Sequence, residues 1–205
     1  MTPRRMKIVG GVVAALLLVF VGYAAGTLIP RWQAPGDSSP EAGFARDMSA
    51  HHAQAVELGM IAYQKATDPD VRTLGGDIAI TQQGQIGIMQ TWLANWGLSL
   101  NSTNQPMSWM PDGPSLMRGN LMPGMATQAE MDKLRGATGK QVDILFCQYM
   151  LRHHLGGLHM VDGILAQTHN QQVVDLATAM KTGQQGEIQV LQNLLTHLGA
   201  QPLQS

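Results

Sequence analysis

The chain has 205 residues, of which 13% are charged, and its formal net charge is −1 at neutral pH. This length fits one ordinary domain with an appendage, and the absence of a basic run interleaved with aromatic residues argues against nucleic acid as a partner. Because Cys147 is the single cysteine, the chain cannot form an intrachain disulfide or a CxxC metal knuckle, whereas methionine is abundant at 14 residues.

Residues 1–29 have the pattern of an export or anchoring signal. Arg4, Arg5 and Lys7 precede an uncharged run, 8–29, which as a helix of ~1.5 Å per residue reaches roughly 33 Å, enough to cross a bilayer. The basic residues favour a cytoplasmic N-terminus, which places the bulk of the chain on the extracytoplasmic side of the cell membrane. The run is long for a signal-peptide core, so we predict a single-pass transmembrane helix; an exported form cleaved after 24 or 25 is the alternative.

A tether at 30–39, rich in Pro, Gly and polar residues, leads into four long helical stretches within 40–199. Apolar residues recur at helical spacing in each stretch. The predicted helices run from about 40 to 66, from 69 to 96, from 139 to 168 and from 171 to 198. The Met-rich linker 98–138 carries a capping box at Thr127 and Glu130, which predicts a short helix. A tail, 200–205, ends the chain.

The second half of the bundle repeats the first at an offset of 102 residues. Segment 44–97 aligns with 146–199 without a gap, and the most specific match is Met-x-x-His-His, at 48–52 and at 150–154. Each repeat consists of two amphipathic helices joined by a short turn, which predicts an antiparallel helical hairpin. Two such hairpins make an all-α four-helix bundle.

Polar residues interrupt the apolar stripes at matching heights in the two repeats. His51 and Gln85 are equidistant from the first hairpin turn, and the same count in the second repeat aligns His153 with Glu187. Residues equidistant from a turn lie at one height in an antiparallel pair, so these four predict a polar layer inside the bundle. Further polar or sulfur-containing side chains are expected in or within about one turn of this layer: Gln82, Gln184, Met48, Met150 and Met89.

Such a layer is typical of a metal site, because burying unpartnered polar groups costs on the order of a few kcal/mol each. Imidazole with thioether is a soft ligand set that suits copper, Cu(I) or Cu(II), better than zinc. Successive side chains on a helix point ~100° apart, so one histidine of each pair should face inward and the other should flank it. The predicted metal ligands are His51, His52, His153, His154, Met48 and Met150.

Two residues unique to the second repeat, His159 and Met160, are further candidate ligands. Core packing is the alternative for Met160, and a solvated flank is the alternative for His159. For the layer as a whole, the alternative is a hydrogen-bonded polar network that holds no metal.

The two Met-x-x-His-His motifs, with Phe44 and Asp47 around the first and Gly157 after the second, resemble the signature of the domain of unknown function family 305. Segment 121–127 resembles the inter-repeat segment of that family. The resemblance implies a ferritin-like helical bundle and, as for some members, an exported protein associated with copper binding and copper tolerance. It also implies that the Met-His-His residues of both motifs are the ligands.

Three functions are compatible with these features. The first is a membrane-tethered extracytoplasmic protein that sequesters or delivers copper and catalyses nothing. The second is a metal-dependent oxidoreductase, although a ferritin-type di-iron centre needs several inward carboxylates and only Glu187 lies on the central stripe. The third is a structural or interaction module whose polar layer fixes the register of the bundle. A homo-oligomer is compatible with all three.

Overall fold

The computed structural model describes residues 16–23 and 34–203, and its regular elements there are helical. Six helices belong to the compact unit that begins at Gly36. They are α1 (Pro40–Lys65), α2 (Pro69–Asn95), α3 (Gly113–Leu116), α4 (Gln128–Gly136), α5 (Lys140–Leu165) and α6 (Gln171–His197). The predicted all-α class, with two long helical hairpins, is confirmed.

The N-terminal segment is a separate unit, in which residues 16–23 are helical. Within 16–23 and 34–203 no helix combines the length and the apolar character that crossing a membrane requires. Most of the predicted transmembrane run 8–29, and part of the tether, fall outside the described residues.

The long helices begin where the sequence predicts, because side chains satisfy their first free amide groups. Ser39 Oγ accepts from the Ala42 amide at 3.2 Å, and Asp68 Oδ1 accepts from the Asp70 amide at 2.9 Å. The end of α5 comes earlier than predicted, at Leu165. There, Thr168 leaves the helical path and its hydroxyl donates to a carboxylate of α1 at 2.7 Å.

The buried apolar side chains form two cores, one toward each end of the bundle. The methionine-rich core contains Phe44 and Met48 of α1 together with Met160 and Ile164 of α5. The aliphatic core combines the other half of each helix, with Ala55 and Leu58 of α1 and Val142 and Phe146 of α5 among its members. Helices α1 and α5 are therefore antiparallel, and they cross between the two cores.

The linker between the hairpins is folded against the bundle. Asp47 of α1 accepts hydrogen bonds from the Met107 amide at 2.7 Å and from Trp109 Nε1 at 2.8 Å. Several linker methionines are buried as apolar packing groups, namely Met107, Met110, Met122 and Met131. The predicted capping box is present, since Thr127 and Glu130 exchange hydrogen bonds and start α4.

A buried carboxylate joins the start of α5 to the first hairpin turn. Asp143 is 1% exposed, and its two oxygens accept from the amides of Thr67 at 2.9 Å and Asp68 at 3.3 Å and from the Thr67 hydroxyl. These bonds hold the end of the first hairpin against the second, and so contribute to the alignment of α1 with α5.

Candidate metal centre

All four imidazoles of the repeated motifs are buried at the crossing of α1 and α5. The residues of both pairs are at most 1% exposed: His51, His52, His153 and His154. The layer they form lies between the methionine-rich core and the aliphatic core. The predicted polar layer is therefore present, and each hairpin contributes two of its histidines.

The first histidine of each pair faces the other hairpin. The rings of His51 and His153 lie against each other, with centroids 3.8 Å apart and planes inclined by 33°. His51 Nε2 donates to the carbonyl of Pro123 at 3.0 Å, and His153 Nε2 donates to the carbonyl of His51 at 3.1 Å. Because a carbonyl oxygen only accepts, both rings carry their proton on Nε2, which leaves a lone pair on Nδ1.

The second histidine of each pair faces the neighbouring helix of its own hairpin. His52 Nε2 donates to Gln85 Oε1 at 2.7 Å, and His154 Nε2 donates to Glu187 Oε2 at 2.6 Å. The predicted register was therefore wrong by one residue, because it aligned Gln85 with His51. The ~100° turn between successive side chains directs His51 across the bundle and His52 toward α2. As predicted, the two histidines of each pair point in different directions, but both are buried.

Five buried polar atoms of this layer have no hydrogen-bond partner among the described residues: His51 Nδ1, His52 Nδ1, His154 Nδ1, Gln82 Oε1 and Gln184 Oε1. Leaving such a group unpaired costs about 1–3 kcal/mol. Three imidazole lone pairs therefore lie in a buried layer without a protein donor, and this arrangement fits a metal ion that accepts nitrogen ligands.

Burial also keeps the imidazoles of His51, His52 and His153 uncharged. Desolvation lowers the pKa of His51 from 6.5 to about 4 and the pKa of His52 to about 3, and it lowers the pKa of His153 well below 6.5. Neighbouring imidazoles reinforce the shifts, because a second positive charge in the layer would repel the first. At neutral pH the Nδ1 lone pairs of His51 and His52 are therefore free of protons, which ligation of a metal requires.

Three glycines allow the linker and α6 to lie close to the histidine layer. A Cβ on Gly156 would lie 2.0 Å from the carbonyl oxygen of Pro123, and Gly124 has a φ of +80° where it lies against the backbone of α5. A Cβ on Gly157 would lie 2.7 Å from Gln184 Oε1. Small residues thus let the linker and α6 approach the histidines closely.

The same part of the linker is held to α1 by paired hydrogen bonds. The side chain of Gln54 donates to the Ala126 carbonyl at 2.9 Å and accepts from the Ala126 amide at 2.6 Å. Sequence reasoning did not assign Pro123 or Gln54 to the site. A backbone carbonyl as acceptor leaves no residue-type signal, so the proline contact could not be read from the sequence.

The predicted sulfur ligands lie on both sides of the histidine layer. Met48, Met89 and Met160 are in the methionine-rich core, whereas Met150 is in the aliphatic core. His159 is exposed, and its Nε2 lies 2.9 Å from Asp112 Oδ2, outside the layer. In the described ranges, no three His, Cys, Asp or Glu side chains form a ready group of metal ligands.

Cys147 is a buried member of the aliphatic core. Burial raises the pKa of its thiol to about 12, and the nearby carboxylate of Asp143 adds to the shift. The thiol therefore stays protonated at neutral pH, and its surroundings are those of a packing residue rather than a thiolate ligand.

The sequence profile of the family described as Domain of unknown function (DUF305) matches residues 41–195. The chain belongs to the DUF305 family. A DUF305 protein from Streptomyces coelicolor, whose secretion is inferred, is 40% identical, with a TM-score of 0.76 over 83% of this chain and 100% of that one. A DUF305 fragment from Deinococcus radiodurans is 28% identical, with a TM-score of 0.64 over 77% and 96% of the two chains.

The fold is also shared with a copper protein. CopM in its Cu(I)-bound form is 20% identical, with a TM-score of 0.59 over 78% of this chain and 96% of that one. Its Cu(II)-bound form is 22% identical, with a TM-score of 0.60. At these identities the likeness concerns the fold alone. No functionally curated protein matches the chain in sequence.

Proposed function

We propose that this DUF305 protein binds copper on the extracytoplasmic side of the membrane and sequesters or delivers it. Copper is its cargo, and the protein catalyses no reaction. The observation that carries the proposal is the set of buried Nδ1 lone pairs on His51, His52 and His154, which no described group satisfies. The imidazoles of both motifs would hold the ion, with the thioethers of Met48 and Met150 as further candidate donors.

The chemistry of the layer favours copper over harder ions. Imidazole nitrogens and thioether sulfurs prefer copper, Cu(I) above all, whereas Mg and Ca prefer several oxygen ligands. Zinc is less favoured, because its sites usually combine imidazole with thiolate or carboxylate. A thiolate is not at hand, because Cys147 is a protonated, buried thiol. The carboxylate of Glu187 is bonded to Nε2 of His154.

The outer contacts of the imidazoles support the same proposal. In protein metal sites, a ligating histidine usually donates its other N–H to a carbonyl, amide or carboxylate oxygen, which fixes the ring and its tautomer. All four imidazoles of the layer have such a contact, through Nε2. The copper-bound forms of CopM share this fold, and they support the proposal without assigning ligands here.

We also propose that the run 8–29 anchors the protein in the membrane. The part of this run that the structure describes, 16–23, is helical, and its large apolar side chains are more than half exposed. An exposed apolar helix of this kind favours a lipid environment. The S. coelicolor relative, whose secretion is inferred, supports the extracytoplasmic side. Retention in membranes after an alkaline wash is expected, and release into the supernatant would contradict the anchor.

A competition titration tests the copper proposal. The whole chain, purified in detergent, is titrated with Cu(I) against a chromophoric chelator and separately with Zn(II). We expect submicromolar Cu(I) binding and weaker Zn(II) binding. Replacing His51 and His153 together with Asn should weaken Cu(I) binding at least ~100-fold, since buried ligands are lost.

The matched control is His197→Asn, which removes an imidazole that is 72% exposed beside Asp68. It should leave Cu(I) binding unchanged, and circular dichroism checks that each variant folds. Copper binding no tighter than micromolar, or equal binding by the double variant and the control, would contradict the proposal. In that case the hydrogen-bonded network without metal would account for the layer.

A further inference from the structure

The two halves of the histidine layer differ in one contact. The separation between histidine and acceptor is 33 residues in both repeats, and the Nε2–oxygen distances are 2.7 Å for His52–Gln85 and 2.6 Å for His154–Glu187. The geometry is thus repeated, but the acceptor is a neutral amide in the first repeat and a carboxylate in the second. The two repeats therefore allow a neutral amide acceptor and a carboxylate acceptor to be compared on equivalent histidines.

A carboxylate acts on an imidazole more strongly than an amide does. A hydrogen bond to an ionised acceptor is roughly twice as strong as one between neutral groups. It pushes electron density onto the ring, which makes the opposite nitrogen a stronger donor to a metal ion. The negative charge also offsets the charge of the bound cation. Nδ1 of both His52 and His154 is buried without a partner, so both nitrogens are free to transmit this difference.

The surroundings of Glu187 leave this role open to it. Its side chain is 23% exposed, and among the described residues its Oε2 accepts a hydrogen bond from Nε2 of His154. The carboxylates of Glu57, Glu130 and Asp162, in contrast, pair with Arg or Lys side chains. The charge of Glu187 is therefore directed at the histidine layer rather than neutralised by a basic residue.

We propose that Glu187 is a positioning residue that sets the copper affinity of the layer through His154. The His154 imidazole is then a stronger copper ligand than the His52 imidazole, which is bonded to Gln85. The inference rests on the proposed function, since it concerns how strongly the same layer holds copper. It predicts that a carboxylate at 85 or 187 raises the copper affinity relative to an amide at the same position. The effect passes through the bonded histidine, so neither acceptor needs to touch the ion.

Reciprocal isosteric substitutions test the inference. Glu187→Gln should weaken Cu(I) binding by about 10–100-fold, the usual effect of changing an outer partner of a metal ligand. Gln85→Glu should strengthen binding by a similar factor. The double variant with both changes should return to within a few-fold of the wild-type affinity. Asp175→Asn is the charge control, because this exposed carboxylate of α6 bonds Gln171 and does not touch the layer.

A copper-free measurement separates the two proposals. In protein labelled with 15N at histidine, NMR should show the proton on Nε2 of both His52 and His154. The Nε2–H resonance of His154 should lie further downfield, and Glu187→Gln should shift it toward that of His52. If wild-type protein binds copper but Glu187→Gln behaves like Asp175→Asn, the inference is overturned and the proposed function stands. If wild-type protein binds no copper, the proposed function fails, and the inference fails with it.

Discussion

The metal-free protein should lose stability as the pH falls from 7 to 5, because its central histidines are buried in the neutral form. His51 has an ordinary pKa of 6.5 in the unfolded chain and a pKa of about 4 in the folded protein, and for His52 the folded value is about 3. Between the two values the unfolded chain binds more protons than the folded one. Stability therefore rises with pH through this window and is lost as the pH falls.

The size of the effect follows from the shifts. At pH 5 the unfolded chain gains about 2 kcal/mol for each of His51 and His52 by taking up a proton that the folded protein does not accept. Together they contribute a loss of ~4 kcal/mol between pH 7 and pH 5, and His153 adds to it in the same direction. Such a loss is a large fraction of the 5–15 kcal/mol stability of a typical domain.

Urea unfolding followed by circular dichroism, in a chelator-treated sample, measures this loss at a series of pH values. His52→Gln, which removes one titrating ring, should reduce the pH dependence by about 2 kcal/mol. The Glu130 carboxylate lies outside this window: the Arg152 guanidinium lowers its pKa to about 2, so its contribution is lost only as the pH falls below the ordinary pKa of 4.5. A stability that is flat between pH 7 and pH 5 would refute the burial of neutral imidazoles.

Two further predictions concern the packing that supports the layer. Gly156→Ala should destabilise the protein by about 1–3 kcal/mol in urea unfolding, because the new Cβ would lie 2.0 Å from the Pro123 carbonyl oxygen. Gly183→Ala, in open space on α6, should instead stabilise it by about 0.5–1 kcal/mol, and equal effects of the two would contradict the close approach. Asp143→Ala should cost about 3 kcal/mol, because it removes the buried acceptor of three hydrogen bonds from the first hairpin turn. Asp175→Ala is its exposed control, and an equal cost would argue against the role of the Asp143 carboxylate.

Much of the fold could be predicted from local signals. Ser39, Asp68 and Thr127 cap helices where the sequence places them, because capping depends on short-range hydrogen bonds that residue types reveal. The repeat at an offset of 102 residues then predicted two similar hairpins. The packing of one hairpin against the other follows from the apolar stripes that both must bury.

The details of the site depend on contacts that no local signal encodes. The pairing of His52 rather than His51 with Gln85 depends on the rotation of α1 about its axis, which packing against α2 and α5 determines. Counting residues from a turn does not resolve a shift of one residue. The contact of His51 with the Pro123 carbonyl depends on the path of the linker, and that path depends on close approaches at Gly156 and Gly124.

Copper bound among the imidazoles at the crossing of α1 and α5 can be located in a crystal of the protein grown with copper. Anomalous diffraction is recorded on both sides of the copper absorption edge. An anomalous peak is expected within bonding distance of Nδ1 of His51, His52 or His154. Full-occupancy copper only at surface groups such as His159 or His197, with no peak in the histidine layer, would contradict it.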